Sequence, residues 1–210
     1  LKGKTVALAK GSISVALTVA ALESVGLAWE DVEPAFLLPA DAKAAFNGGS
    51  VDAWTIWDPY YALEEGESSA RTIATNGSVG FPNRGFYLAD RRFATENADA
   101  LAVIIAALRE AETWVDEHTD AIVATLATET GLAPEVLRVV EERRVHGLEP
   151  VTTEIVARQQ QLADPFFWLG LIPTGVDVPP PRCRGWRPSR RSRGSLSTLS
   201  PPCAQGGDMS

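Results

Sequence analysis

Between Val51 and Tyr60 the chain reads Val-Asp-Ala-Trp-Thr-Ile-Trp-Asp-Pro-Tyr. Two indoles, two carboxylates, a proline and a tyrosine stand where a short apolar strand should run into a helix. An indole carries a large apolar face and an N–H that needs a partner, so this composition at a strand's carboxyl end reads as the wall of a ligand crevice. Trp54 and Trp57 are three residues apart, which on a strand puts them on opposite sides. One then belongs to the core and the other lines the crevice, and Trp57, next to Asp58-Pro59, is the better placed for a ligand. Asp52 and Asp58 are acceptors for a ligand amine or hydroxyl. For Asp58, directly before Pro59, capping of the following turn is an equal reading.

A second cluster is Lys10-Gly11-Ser12-Ile13-Ser14, at a strand-to-helix turn. A helix N-terminus offers unpaired N–H groups and a partial positive charge, and the hydroxyls of Ser12 and Ser14 add donors. Such a turn suits a tetrahedral oxyanion without any basic side chain; an ordinary serine cap with no ligand uses the same residues. No Gly-Lys-Ser/Thr closes a P-loop spacing. Asn83 and Arg84 form a third candidate, with the guanidinium able to pair with an anionic head group, although surface arginines are more often simply solvated. Chemistry that makes or breaks bonds finds no support. His118 and His146 stand apart from any Cys/His cluster, so no metal is expected. No Gly-x-Ser-x-Gly elbow and no Cys–His pair occurs before residue 179, and Glu64-Glu65 reads as a solvated helix face.

The elements that must position these residues alternate. Thr5–Ala9 is a continuous apolar run, as in a buried parallel strand. A helix follows from Ser12 or Ser14, with Val15, Val19, Leu22 and Val25 on one face and Gly26 as its stop. Val32–Leu38 is a second strand, Asp41 opens a short helix ending at Asn47-Gly48-Gly49, Val51–Ile56 is a third strand, and a helix starts near Pro59. Ala70–Ala74 and Phe86–Ala89 are candidate further strands. This order implies an open, mostly parallel sheet with helices, whose ligands bind beyond the strands' carboxyl ends. From about Phe93 only helices are expected: Ala98–Glu117 with Leu101, Ile104, Ile105, Leu108 and Val115 near one stripe, Thr119–Thr130 ending at Gly131, one from Pro134 through Arg144, and Val151–Leu169, kinked at Pro165. Helices with no sheet of their own suggest a missing partner layer.

The 210 residues suffice for one or two domains with a real core. The longest apolar run, Ala100–Leu108, is too short to span a bilayer. The opening Leu1-Lys2-Gly3-Lys4 shows no signal peptide and no initiator Met, which suggests a start within a longer protein. After Val178 the composition breaks into a Pro-, Arg-, Ser- and Gly-rich tail. Six arginines against Asp208 give residues 179–210 a charge of +5, so the −8 of the whole chain leaves −13 on the rest. An acidic body argues against nucleic acid, while local dipoles still permit a small anion. Cys183 and Cys203 both fall in the tail, which reads as disordered and, being foreign in composition, as a frameshifted end.

Taken together, Leu1–Ser12, Leu38–Phe46, the Val51–Tyr60 segment and Phe86–Ala89 resemble the periplasmic aliphatic-sulfonate-binding proteins of ABC importers, relatives of the taurine- and nitrate-binding proteins; Gln159–Pro173 is similar to that family's C-terminal helix. The resemblance covers about residues 1–178. It implies an α/β, periplasmic-binding-protein-like (type II) fold, with one nearly complete lobe plus the C-terminal helices of the other. The expected organisation is an α/β ligand-binding lobe over 1–90, a helical part of the second lobe over 91–178 and the tail over 179–210, the first lobe's N-terminal sheet being absent. It implies no cofactor, a small alkanesulfonate-like anion as ligand, ABC permease subunits as partners, a periplasmic or extracytoplasmic location, and a monomer when full length. It carries the sulfonate-contacting role onto Ser12 and the tryptophan–aspartate segment. The ligand-binding set is therefore Gly11, Ser12, Ser14, Asp52, Trp54, Trp57, Asp58, Asn83 and Arg84. The family commonly has a Ser-Ser-Ala-His-like sequence where this chain has Ser12-Ile13-Ser14-Val15, and Pro165 interrupts a helix the family keeps regular. Sulfonate, taurine, nitrate and a pyrimidine precursor stay open as ligands. Two rival functions are an enzyme on the same two-lobed fold, of the thiamine-precursor-synthesis type, and a ligand-sensing domain.

Overall fold

The computed structural model describes residues 1–68, 70–81 and 83–178. The arginine-rich tail, with both cysteines and its expected disorder, lies outside the described residues. Two compact units form, the first from Leu1–Arg84, Thr119–Arg144 and Gln160–Val176, the second including Gly85–His118 and Val145–Gln159.

The first unit is built on a parallel sheet of β1 (Thr5–Leu8), β2 (Glu33–Phe36) and β3 (Ala53–Trp54), in the order β2-β1-β3. Leu8 pairs with Phe36, and Ala7 lies between Ala35 and Trp54. Alternate residues of β1 face opposite ways. Val6 and Leu8 join Val15, Leu22, Val32 and Ala53, with Phe166, Leu169 and Leu171 packed against them. Ala7 meets Ala42 and Val51, with Leu37, Phe46 and Trp54 alongside. Both faces are covered, which is why Thr5–Ala9 is apolar without a period of two.

Helix α1 (Ile13–Glu23) starts at the cap Ser12. It ends where Gly26 takes φ +75°, with the Leu27 N–H donating to Leu22 C=O (3.0 Å) and the Gly26 N–H to Glu23 C=O (3.0 Å), the paired closure of a left-handed stop. Val25 therefore lies past the helix and is 70% exposed, not on the buried face expected of it. Helix α2 (Pro39–Asn47) has proline in its first turn, where no N–H is needed, and α3 is Tyr60–Glu67. The third strand is shorter than Val51–Ile56, yet the Asp52 and Thr55 N–H groups still donate to Thr5 and Ala7 carbonyls at 2.9 Å.

Helices α4 (Arg91–Glu96), α5 (Ala98–Glu117), α6 (Thr119–Thr130), α7 (Pro134–Arg143) and α8 (Thr153–Trp168, with Pro165 inside it) follow. In the first unit, Arg138 of α7 bonds Asp120 of α6 at 2.7 Å. In the second, Asp90 caps α4 by accepting from the Arg92 and Phe93 N–H groups. No residue of α5 is buried: Leu101, Ile105, Leu108 and Val115 of the expected stripe are half-covered and Ile104 is exposed. The strands expected at Ala70–Ala74 and Phe86–Ala89 do not form. Their β-branched and aromatic residues suit a sheet, but a strand exists only through a neighbour's hydrogen bonds, and Ile73, Phe86, Tyr87 and Leu88 are exposed instead. Among the described residues no helix is long and apolar enough to cross a membrane.

Candidate functional site

The chain leaves β1 at its carboxyl end through Ala9-Lys10-Gly11-Ser12. Gly11 has φ +73°, and a Cβ there would meet nothing within 4 Å, so the glycine answers a backbone need rather than a lack of space. The left-handed step turns Ser12 into the cap of α1. Its hydroxyl donates to Ala9 C=O (2.8 Å) and accepts from the Ser14 N–H (3.3 Å). The Ser14 hydroxyl forms a short hydrogen bond with that of Ser12 and lies 3.4 Å from the same Ala9 carbonyl. The Val15 N–H donates to Ser12 C=O; among the described residues none accepts from the Ile13 N–H. Lys10 is exposed beside the turn. The result is a helix N-terminus with two adjacent hydroxyls and a free donor, an arrangement that can hold an oxyanion through O–H and N–H groups without moving a proton.

The strand beside it, β3, ends in the tryptophan segment. Trp54 is partly buried, its ring tilted against Phe46 (centroids 6.2 Å apart) and Tyr60 (5.9 Å), while Trp57 is 38% exposed. Asp58 accepts from the Ala62 N–H (3.1 Å) in the first turn of α3 and from Arg143 of α7 (3.1 Å). Arg143 also pairs with Glu65 and stacks over the Tyr61 ring at 4.3 Å. Burial alone would raise the Glu65 carboxyl, but hydrogen bonds from Tyr61, Arg143 and Thr72 outweigh it and hold the carboxyl below its usual range. Burial likewise works against the Arg143 charge, and Glu65 and Asp58 more than offset it. These ties fix the turn that presents Trp57.

The structure thus brings Gly11, Ser12, Ser14, Trp57 and Asp58 to the carboxyl end of β1 and β3, with Trp54 just before it. Asp52 is not there. It sits at the strands' amino end, where its carboxylate accepts from the Thr5 N–H (2.9 Å) and from Lys4 (2.9 Å), bonds that lower its pKa, the Lys4 bond most. Asp52 precedes β3 beside Thr5, and Trp57 lies beyond its other end. Asn83 and Arg84 are exposed, in a segment without helix or strand. Among the described residues no three His, Cys, Asp or Glu side chains form a metal-binding group. Both histidines belong to the second unit, where His118 stacks on Trp114 and His146 lies about 4 Å from Glu112 and Asp116. Sequence reasoning missed Arg143, Thr18 and Thr55. Thr18 is buried and donates to Ser14 C=O (2.7 Å), and its hydroxyl also meets that of Thr55 (2.8 Å). The polar pair Ser14 and Thr18, four apart in a helix otherwise apolar up to Glu23, was the available signal.

No family model matches the chain. It is 38% identical over 191 residues to an aliphatic-sulfonates-binding protein of Escherichia coli, across 90% of this chain and 59% of that protein. A Bacillus subtilis protein of the same description is 34% identical, across 85% of this chain and 54% of that protein. Among solved structures, the periplasmic aliphatic sulphonate binding protein SsuA from Escherichia coli superposes with a TM-score of 0.79 at 35% identity, covering 95% of this chain and 66% of that one. The chain is a homologue of the aliphatic-sulfonate-binding proteins. A second neighbour, the alkanesulfonate-binding protein SsuA from Xanthomonas axonopodis pv. citri bound to MOPS, gives a TM-score of 0.74 at 35% identity, over 85% of this chain and 62% of that one. The fold is accordingly the α/β, type II periplasmic-binding-protein class expected from the sequence. The chain spans little more than half the length of the curated relatives it matches. Those relatives are described as binding proteins, not as enzymes.

Proposed function

We propose that this chain is the ligand-holding part of a solute-binding component of an ABC importer, taking an aliphatic sulfonate. The observation that carries the reading is the serine-capped N-terminus of α1, opened by left-handed Gly11, in a chain whose relatives are described as sulfonate-binding proteins. The Ile13 N–H and the Ser12 hydroxyl receive the sulfonate oxygens, the buried Ser14 hydroxyl backs Ser12 from behind, and Trp57 lies along the carbon chain. Both hydroxyls hold internal partners in the free protein, so capture exchanges Ala9 C=O for the anion at one of them. Asp58 accepts from both Arg143 and Ala62 through Oδ1, which ties it to the turn. Nothing in this scheme breaks a covalent bond. The permease is the partner and the space outside the cytoplasmic membrane the location, as befits relatives that include a periplasmic protein.

The test is Ser12→Ala in the 210-residue chain, titrated with butanesulfonate and followed by calorimetry. Removing one donor to a bound anion should weaken binding by about 1–3 kcal/mol. Unchanged affinity would reject the serine's role, and turnover of a pyridoxal-type substrate would favour the enzymatic alternative.

A further inference from the structure

The proposed anion site has two sides, the serine turn on α1 and the tryptophan segment after β3, and a part-buried hydroxyl pair joins them. Thr18 stands one helical turn beyond Ser14 and is 4% exposed; Ser14 itself is 1% exposed. The Thr18 hydroxyl gives its proton to Ser14 C=O at 2.7 Å. Its oxygen is then left as an acceptor, so in the 2.8 Å contact Thr55 is the donor. Thr55 directly follows β3, its N–H is fixed to Ala7 C=O at 2.9 Å, and Trp57 comes two residues later. We propose that Thr18 and Thr55 are positioning residues for anion capture: their hydroxyl pair holds the first turn of α1 in register with the carboxyl end of β3, and so fixes the serine donors relative to Trp57.

This inference rests on the sulfonate reading. The physical case is that helix and strand are otherwise joined here by apolar contacts of Val15 and Leu22 with Val6, Leu8 and Ala53, which are non-directional. A hydrogen bond is directional, and one placed between the two elements sets their relative slide within a few tenths of an ångström. Donors aimed at a small anion depend on that slide far more than the core does. Both protons are committed, that of Thr18 to Ser14 C=O and that of Thr55 to Thr18, so neither hydroxyl is left to donate to the ligand.

The experiment titrates the isotope-labelled 210-residue chain with butanesulfonate into the millimolar range, reading the amide signals of Ser12, Ile13 and Ser14. The variants are Thr55→Val, which keeps shape and loses the hydroxyl, and Thr55→Ser, which keeps the hydroxyl. Thr55→Ala replaces the valine variant if the latter fails to fold. Pentanoate, a carboxylate of similar length, is titrated in parallel. The expected result is a loss of about three- to tenfold in butanesulfonate affinity for Thr55→Val, recovery by Thr55→Ser to within about twofold, and a smaller loss for pentanoate, which has one oxygen fewer to place. Equal binding by the valine variant and the unsubstituted chain overturns the positioning role and leaves the sulfonate reading standing. An equal loss in the serine variant overturns it too, assigning the effect to the methyl group. Absence of butanesulfonate binding by the unsubstituted chain overturns the sulfonate reading, and this inference with it.

Discussion

Replacing Arg143 with methionine would test whether the Trp57-Asp58-Pro59 turn is held from outside its own segment. The guanidinium pairs with Asp58 at 3.1 Å and with Glu65, and it lies 4.3 Å from the centre of the Tyr61 ring. The arginine side chain is 32% exposed, and its partners are 24% and 36% exposed, so neither pair is fully screened and neither is fully desolvated. Half-exposed ion pairs of this kind contribute about 0.5–1 kcal/mol each, and the cation–ring contact about 0.5–1 kcal/mol. Methionine keeps most of the apolar stem while leaving Asp58 and Glu65 without their shared cation. The expected loss is therefore about 1.5–3 kcal/mol in the first unit, read from urea titration of the α3 and α7 amide signals at neutral pH. Combining it with Glu65→Gln should lose less than the sum of the two single changes, by about 0.5–1.5 kcal/mol. A loss under about 0.5 kcal/mol, or strict additivity with Glu65→Gln, would refute the argument and leave the ion pairs as surface decoration.

Two further outcomes follow from local geometry. At Gly11 nothing crowds an added Cβ, so Gly11→Ala should cost only the left-handed penalty, about 1–2 kcal/mol, and Gly11→Asn visibly less; urea midpoints in the reverse order would mean that space matters there after all. The Glu65 carboxyl is held below its usual value of 4.5 in the folded chain. Its contribution is fully present above that value and is lost as pH falls through the lowered one. Stability measured from pH 7 down to pH 3 should fall less steeply in Glu65→Gln, and identical slopes would remove the carboxylate from the account.

Much of this fold could be read from the residues, for reasons that can be located. Thr5–Ala9 announced a strand covered on both faces, and the ends of α5 and α6 were marked by polar residues and by Gly131, because helix termini are set by local chemistry. Strands are different. Ala70–Ala74 and Phe86–Ala89 have the composition of strands and pair with no strand among the described residues, and composition does not say whether a partner exists. The site was legible as a set of motifs but not as a geometry. Asp52 is a neighbour of Trp54 in sequence and lies at the far end of the sheet, because a strand is a rod. Arg143, which holds Asp58 from 85 positions away, and Thr55, which meets Thr18 from 37 positions away, are brought in by tertiary packing that no local pattern encodes.

The first unit is stitched from three separated stretches of chain, and this sets an order of events during synthesis. Phe166, Leu169 and Leu171 pack against the face of the sheet that carries Val6 and Leu8, and they leave the ribosome roughly 160 residues after it. At about 5–20 residues per second, that face waits on the order of ten seconds or more for its cover. A piece ending at Arg84 would never receive it. Over that interval the cluster of Val6, Leu8, Val15, Leu22, Val32 and Ala53 lacks part of its cover, and any cut made between the stretches, however exposed the loop, divides a core and not a linker.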